Sequence, residues 1–110
     1  MSDNQREIVE ELRLIIPSKF KEEWLDAEKM IWEPWLSKKE GYLGRQIFWD
    51  KETEEALILV NWENKKLWKN ISMLEVNEVQ EKFDEKVKRS LKLDENPFKL
   101  IYVGELYKQR

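Results

Sequence analysis

The sequence predicts an α+β domain of the ferredoxin-like type, with the order β-α-β-β-α-β. Three observations carry this. Two segments alternate in apolar character with a charged link between them, as a hairpin does. Two other segments repeat apolar residues at steps of three and four, as helices do. A short apolar segment opens the chain and another closes it, so both ends read as strands. At 110 residues the chain is one domain, 1–110, with residues 1–6 expected to fray.

The first strand is expected over Ile8 to Ile16. Pro17 stops it and can open a helix, because a proline in the first turn loses no needed N–H. Phe20, Trp24, Ala27 and Ile31 then share one helical face, with Leu25, Trp32 and Leu36 beside it. Pro34 should break or kink this helix, and Gly41 should end the segment. In the next strand Leu43, Arg45, Ile47 and Trp49 share one face, opposite Gly44, Gln46 and Phe48. Asp50 to Glu55 is the hairpin link. In the strand after it, Ala56, Ile58, Val60 and Trp62 oppose Leu57, Leu59 and Asn61. Asn64 can cap a short helix. Ser72-Met73-Leu74-Glu75 has the pattern of a capping box, and Val76, Val79, Phe83 and Val87 mark the helix that follows. Phe98 to Tyr107 is the last strand, with Phe98, Leu100, Tyr102 and Leu106 on one face.

Two helices would cover one face of a four-stranded antiparallel sheet. The strands are apolar on both faces, so the other face would be sticky in a monomer. Two copies stacked sheet on sheet would remove that exposure. The expected assembly is therefore a homodimer, a dimeric α/β barrel.

Composition excludes several functions. There is no cysteine and no histidine, which removes disulfides, thiolate nucleophiles and the usual zinc ligands. The net charge of -3 is spread through the chain, so no basic footprint for nucleic acid appears. No apolar run approaches a membrane span, and the first residues do not form a signal peptide. A cytoplasmic protein is expected. Asp50, Glu52 and Glu54 start like a calcium loop, but Glu55 stands where that loop needs glycine. No metal and no cofactor is expected. The serines lack a histidine base.

The candidate ligand residues are Trp32, Trp35, Arg45, Trp49, Asn61, Trp62 and Trp68. Indoles offer flat apolar walls with one N–H each, suited to a planar aromatic small molecule. They serve equally as core and interface residues. Arg45 could hold an anionic or carbonyl oxygen while Asn61 orients it. Otherwise Arg45 pairs with a carboxylate such as Glu105 or Glu63, and Asn61 bonds the sheet.

Asp26-Ala27-Glu28, Trp32-Glu33-Pro34-Trp35-Leu36, Gly41-Tyr42-Leu43-Gly44 and Ile58-Leu59-Val60-Asn61-Trp62 together resemble a small, mainly cyanobacterial family. It is placed in the dimeric α/β-barrel superfamily, with the antibiotic-biosynthesis-monooxygenase-like domains. The resemblance spans nearly the whole chain and is densest over residues 24–68. It implies the dimeric barrel and a pocket between helices and sheet. It also implies, as an alternative to simple ligand binding, a cofactor-independent monooxygenase acting on an aromatic or quinol-like substrate. A purely structural role is the third reading. The haem-degrading members use an axial histidine after the third strand, and Asn64 to Phe83 holds none. A tyrosine or methionine would have to replace it.

Overall fold

The computed structural model describes residues 6–109. The expected order is present. Strand β1 is Ile8–Ile15, followed by a 3₁₀ turn at Ser18–Phe20 and helix α1 at Lys21–Ala27. A π-turn at Glu28–Trp32 leads into α2, Glu33–Leu36. Strands β2 (Tyr42–Asp50) and β3 (Glu55–Trp62) form the hairpin. Helices α3 (Lys65–Lys69) and α4 (Met73–Leu91) precede β4 (Lys99–Tyr107). The sheet order is β2-β3-β1-β4, and every pair is antiparallel. The helices lie on one face.

Pro34 does not break the helix. The residue before it, Glu33, keeps helical angles of φ -60 and ψ -48. The reason is the widened turn just upstream. The Glu33 N–H donates to the Glu28 carbonyl, a five-residue step. That extra residue absorbs the misfit of the pyrrolidine ring, which then sits in the first turn of α2.

The core lies between helices and sheet. Ile8 and Ile16 on the β1 side, all of Ala56, Ile58, Val60 and Trp62 from β3, and Trp24, Ala27, Leu36, Phe83 and Val87 from the helices are buried. Both helix caps work as expected. Asn64 Oδ1 accepts the Leu67 N–H at 2.9 Å, and Ser72 Oγ accepts the Glu75 N–H at 3.1 Å. The Glu75 carboxylate does not complete a capping box; it accepts the Trp35 indole N–H at 2.7 Å instead.

Two bulges correct the expected strand faces. In β2 the register pairs Tyr42 with Trp62 and Gly44 with Asn61, so Leu43 is the extra residue. Tyr42 therefore joins Arg45, Ile47 and Trp49 beneath the helices, and Leu43 turns outward, 54% exposed. In β4 Leu100 pairs with Leu14 and Tyr102 with Arg13. Ile101 is the extra residue, and Leu100 moves to the face of Val103, Glu105 and Tyr107. No residue of β4 is buried. The helices stop short of this edge, leaving Leu100 at 55% and Val103 at 60% exposure. The proposed fraying covers residues 1–6; residues 1–5 lie outside the described residues, while Arg6 donates to the Lys108 carbonyl at 3.1 Å.

Candidate functional site

Arg45 is already occupied. It points from β2 under the helix, where its side chain is 5% exposed. Its Nη1 meets Glu28 Oε1 at 2.6 Å, and Nε meets Glu33 Oε1 at 2.9 Å. Nη2 donates to the Glu28 carbonyl at 3.2 Å, the same carbonyl that closes the π-turn. The partners are thus Glu28 and Glu33, not Glu105 or Glu63. The Tyr42 hydroxyl donates to Glu33 Oε2 at 2.8 Å. Burial and this carboxylate push the Tyr42 hydroxyl up to about 12. Burial raises Glu28 above the ordinary carboxylate range despite Arg45 beside it. Burial also works to raise Glu33, but hydrogen bonds from Arg45 and Tyr42 outweigh it and hold Glu33 below that range. All guanidinium nitrogens serve the protein, so this group staples the helix to the sheet.

Asn61 lies on the opposite face of the sheet from Arg45. Its Nδ2 donates to the Gly44 carbonyl at 3.2 Å and to Gln46 Oε1 at 3.0 Å. It sits in a shallow hollow of about 630 Å³ with Val9, Leu43, Phe48, Leu59 and Leu106. A single ligand cannot touch both polar groups through the sheet.

The tryptophans also disperse. Trp32 and Trp35 stack edge to face at 5.6 Å, and Trp32 meets Phe83 at 6.5 Å, so both fill the seam between α2 and α4. Trp49 donates to the Ile16 carbonyl at 3.0 Å, beneath the Lys21 ammonium. It pairs with Ala56, six residues along β3 from Trp62, about 20 Å away at the usual rise. Trp24 is fully buried, and its indole N–H has no partner among the described residues.

Trp62 and Trp68 mark the one end where chemistry gathers. Trp62 donates its N–H to Glu10 Oε1 at 3.2 Å and packs edge-on against Tyr42 at 5.8 Å. Trp68 on α3 lies under the Lys69 ammonium at 3.9 Å. Lys65 and Lys69 reach Glu105 Oε2 and Oε1 at 3.0 and 3.6 Å. Glu10 faces the helices, because its register partner Val60 is in the core, and its other neighbour is Glu105. Burial raises the Glu10 carboxyl, against the Trp62 hydrogen bond and the Lys69 charge. Bare β4 adjoins this end, where Glu10 pairs with Glu105 and Leu12 with Val103 on the inner face of the sheet, and Val103 stays 60% exposed. Sequence reasoning missed Glu10. It is an acid at an inward position of β1, two residues from Ile8 and two from Leu12, and that alternation was its only signal.

No group of three or more metal-binding acids occurs among the described residues. No helix among them is long and apolar enough to cross a membrane.

The chain matches no protein-family model, and no curated protein is significantly similar in sequence. Solved structures share its fold. The ActVA-Orf6 monooxygenase of Streptomyces coelicolor, solved with nanaomycin D, superposes with a TM-score of 0.65 at 10% identity, over 99% of this chain and 92% of that one. SnoaB, a cofactor-independent oxygenase of Streptomyces nogalater, gives 0.52 at 7% identity, over 96% and 93%. A conserved protein of Methanosarcina mazei gives 0.56 at 14% identity, over 97% of each chain. The fold is therefore the ferredoxin-like α+β fold of antibiotic-biosynthesis-monooxygenase-like proteins. At these identities the likeness is one of fold.

Proposed function

We propose that this protein binds a small planar ligand on the bare inner face of β4, beside Trp62 and Trp68, and that it works as a homodimer. The observation that carries the ligand reading is the bare inner face of β4. Leu100 and Val103 stand more than half exposed on the sheet face that elsewhere forms the core, and a buried indole and a carboxyl end that surface. Exposed apolar surface with few polar groups beside it suits the apolar body of such a ligand. Arg45, Asn61, Trp32, Trp35 and Trp49 frame and brace the domain in this reading. Titration with planar aromatics, followed by tryptophan emission, tests it. Quenching that saturates, and that Val103→Arg abolishes, supports binding on this face. No saturable change up to millimolar ligand refutes it.

The dimer reading rests on the outer face, where Leu43, Phe48 and Leu106 stay about half exposed. Light scattering at micromolar concentration should give twice the chain mass, and Phe48→Glu should halve it. A wild-type monomer refutes the dimer. Cytoplasmic placement and kinship to the small, mainly cyanobacterial family belong to the same proposal.

A second reading, cofactor-independent oxygenation, is favoured by the neighbours described as a monooxygenase and a cofactor-independent oxygenase. Oxygen uptake above buffer with a panel of hydroquinones would support it, and its absence would leave binding alone.

A further inference from the structure

A helical turn closed over five residues is rare, and where it persists something must favour it over the ordinary four-residue register. In this chain the widened turn spans Glu28–Trp32, and the Glu33 N–H reaches back to the Glu28 carbonyl. The two residues joined by that bond are the two acids held by Arg45. Nη1 meets Glu28 Oε1 at 2.6 Å, and Nε meets Glu33 Oε1 at 2.9 Å. Nη2 donates at 3.2 Å to the Glu28 carbonyl, whose other lone pair takes the Glu33 N–H. One guanidinium therefore grips both ends of the widened turn and the acceptor that closes it.

That grip depends on the register. At 3.6 residues per turn, side chains five apart point about 140° away from each other. Glu28 and Glu33 would then diverge, and a rigid fork on one side of the helix could hold only one of them. The widened turn brings residue 33 back over residue 28, much as residues four apart meet in an α-helix. Arg45 thus acts as a built-in ligand that engages one register better than the other, and such a ligand shifts the balance between them. Other features hold the turn less firmly. Pro34 sits in the first turn of α2, where a proline is tolerated. The Tyr42 hydroxyl has one proton and gives it to Glu33, so it holds one end only. Trp32 and Trp35 fit the α4 seam, yet both are half-buried. The side chains of Arg45 and Glu28 are buried, so parting them strands a charge.

We propose that Arg45 is a positioning residue that locks this helix in the five-residue register and so aims Trp32 and Trp35. Without the clamp the extra residue is expelled from the turn. The Glu33 N–H moves to the Lys29 carbonyl, and the helix beyond rotates by about 100° relative to α1. Trp32 then leaves Phe83, and Trp35 leaves the Glu75 carboxylate.

The test reads the hydrogen bond itself. In isotope-labelled protein, scalar coupling across the bond connects the amide nitrogen of residue 33 to the carbonyl carbon that accepts it. The unaltered chain should couple residue 33 to residue 28. Arg45→Met combined with Glu28→Met removes the clamp and leaves no stranded charge; the coupling to residue 28 should vanish and one to Lys29 should appear. Pro34→Ala keeps the clamp and should keep the coupling to Glu28. Nuclear Overhauser contacts between Trp32 and Phe83 should be lost with the clamp and kept in Pro34→Ala. A folded double variant in which residue 33 still couples to residue 28, or to neither carbonyl, overturns the proposal. So does a Pro34→Ala chain that couples Glu33 to Lys29, because the ring would then set the register. No coupling between Glu33 and Glu28 in the unaltered chain overturns it at the start. Should the double variant fail to fold, Arg45→Lys takes its place. It keeps a cation beside Glu28, but one ammonium cannot span both carboxylates and the carbonyl, so the coupling should move to Lys29 as before.

Discussion

Replacing Arg45 with methionine removes the cation from a layer where Glu28 cannot reach water. The two side chains are 5% and 6% exposed. Deleting one partner of such a pair leaves the other charge uncompensated, which costs about 3–5 kcal/mol. The Glu33 arm adds little. Glu33 is 44% exposed, and solvent screening limits a contact of that kind to under about 1 kcal/mol. A domain of this size loses about 5 °C of melting temperature per kcal/mol, so Arg45→Met should melt about 15–25 °C lower. Thermal unfolding at pH 7, followed by circular dichroism, reads this directly. Adding Glu28→Met should recover most of the loss, because the stranded charge goes with it. Arg45→Met within about 3 °C of wild type would refute the reasoning. So would a double variant no more stable than the single one, since the cost would then not be Glu28's charge.

The other predictions need smaller changes. Gly41 has φ +90, and a Cβ there would stand 2.8 Å from Leu67 Cβ, whereas Gly44 has φ +118 with open space. Gly41→Ala should therefore cost more than Gly44→Ala, by about 1 kcal/mol or more in urea unfolding, with strain of about 1–3 kcal/mol common to both. Equal losses would mean that Leu67 yields freely. Ser72→Ala should cost about 1 kcal/mol through the lost α4 cap, and a hydroxyl-retaining Ser72→Thr should cost less. Glu10 has a folded-state value above 4.5, so the folded chain holds its proton more tightly than the unfolded one. Its ionisation therefore lowers stability as pH rises from about 4.5 through the raised value. Glu10→Gln should melt higher than wild type at pH 7 and lose that part of the pH dependence; a lower melting point would contradict the assignment.

The element order was readable because period-two and period-three-to-four patterns depend on local chain geometry. Helix caps at Asn64 and Ser72 were readable for the same reason: each needs only three residues of context. The faces of β2 and β4 were not, because one extra residue reverses the alternation beyond it, and Leu43 and Ile101 carry no mark of being extra. Pro34 misled because the π-turn that relieves it is a backbone event upstream of the ring. Arg45 was rightly singled out as a polar group in an apolar strand. Its partners lie 12 and 17 residues away on the helix that crosses it, which only the packing of helix on sheet determines. Arg45 and Asn61 fell on opposite faces once the β2 bulge fixed the register. Trp62 met Glu10 through β1 pairing with β3, a contact between residues 52 apart.

The indole hydrogens divide the molecule into separately audible stations. Those of Trp35, Trp49 and Trp62 are each tied to a different oxygen, on Glu75, Ile16 and Glu10. Trp24 has none. In a nitrogen-15 spectrum these protons should resonate apart, with the unbonded Trp24 signal furthest upfield and slowest to exchange with solvent. A ligand that reaches Glu10 would then move the Trp62 signal and leave that of Trp49, at the far end of the sheet, in place. The chain so carries its own labels for telling an event at one end of the sheet from a change in the whole fold.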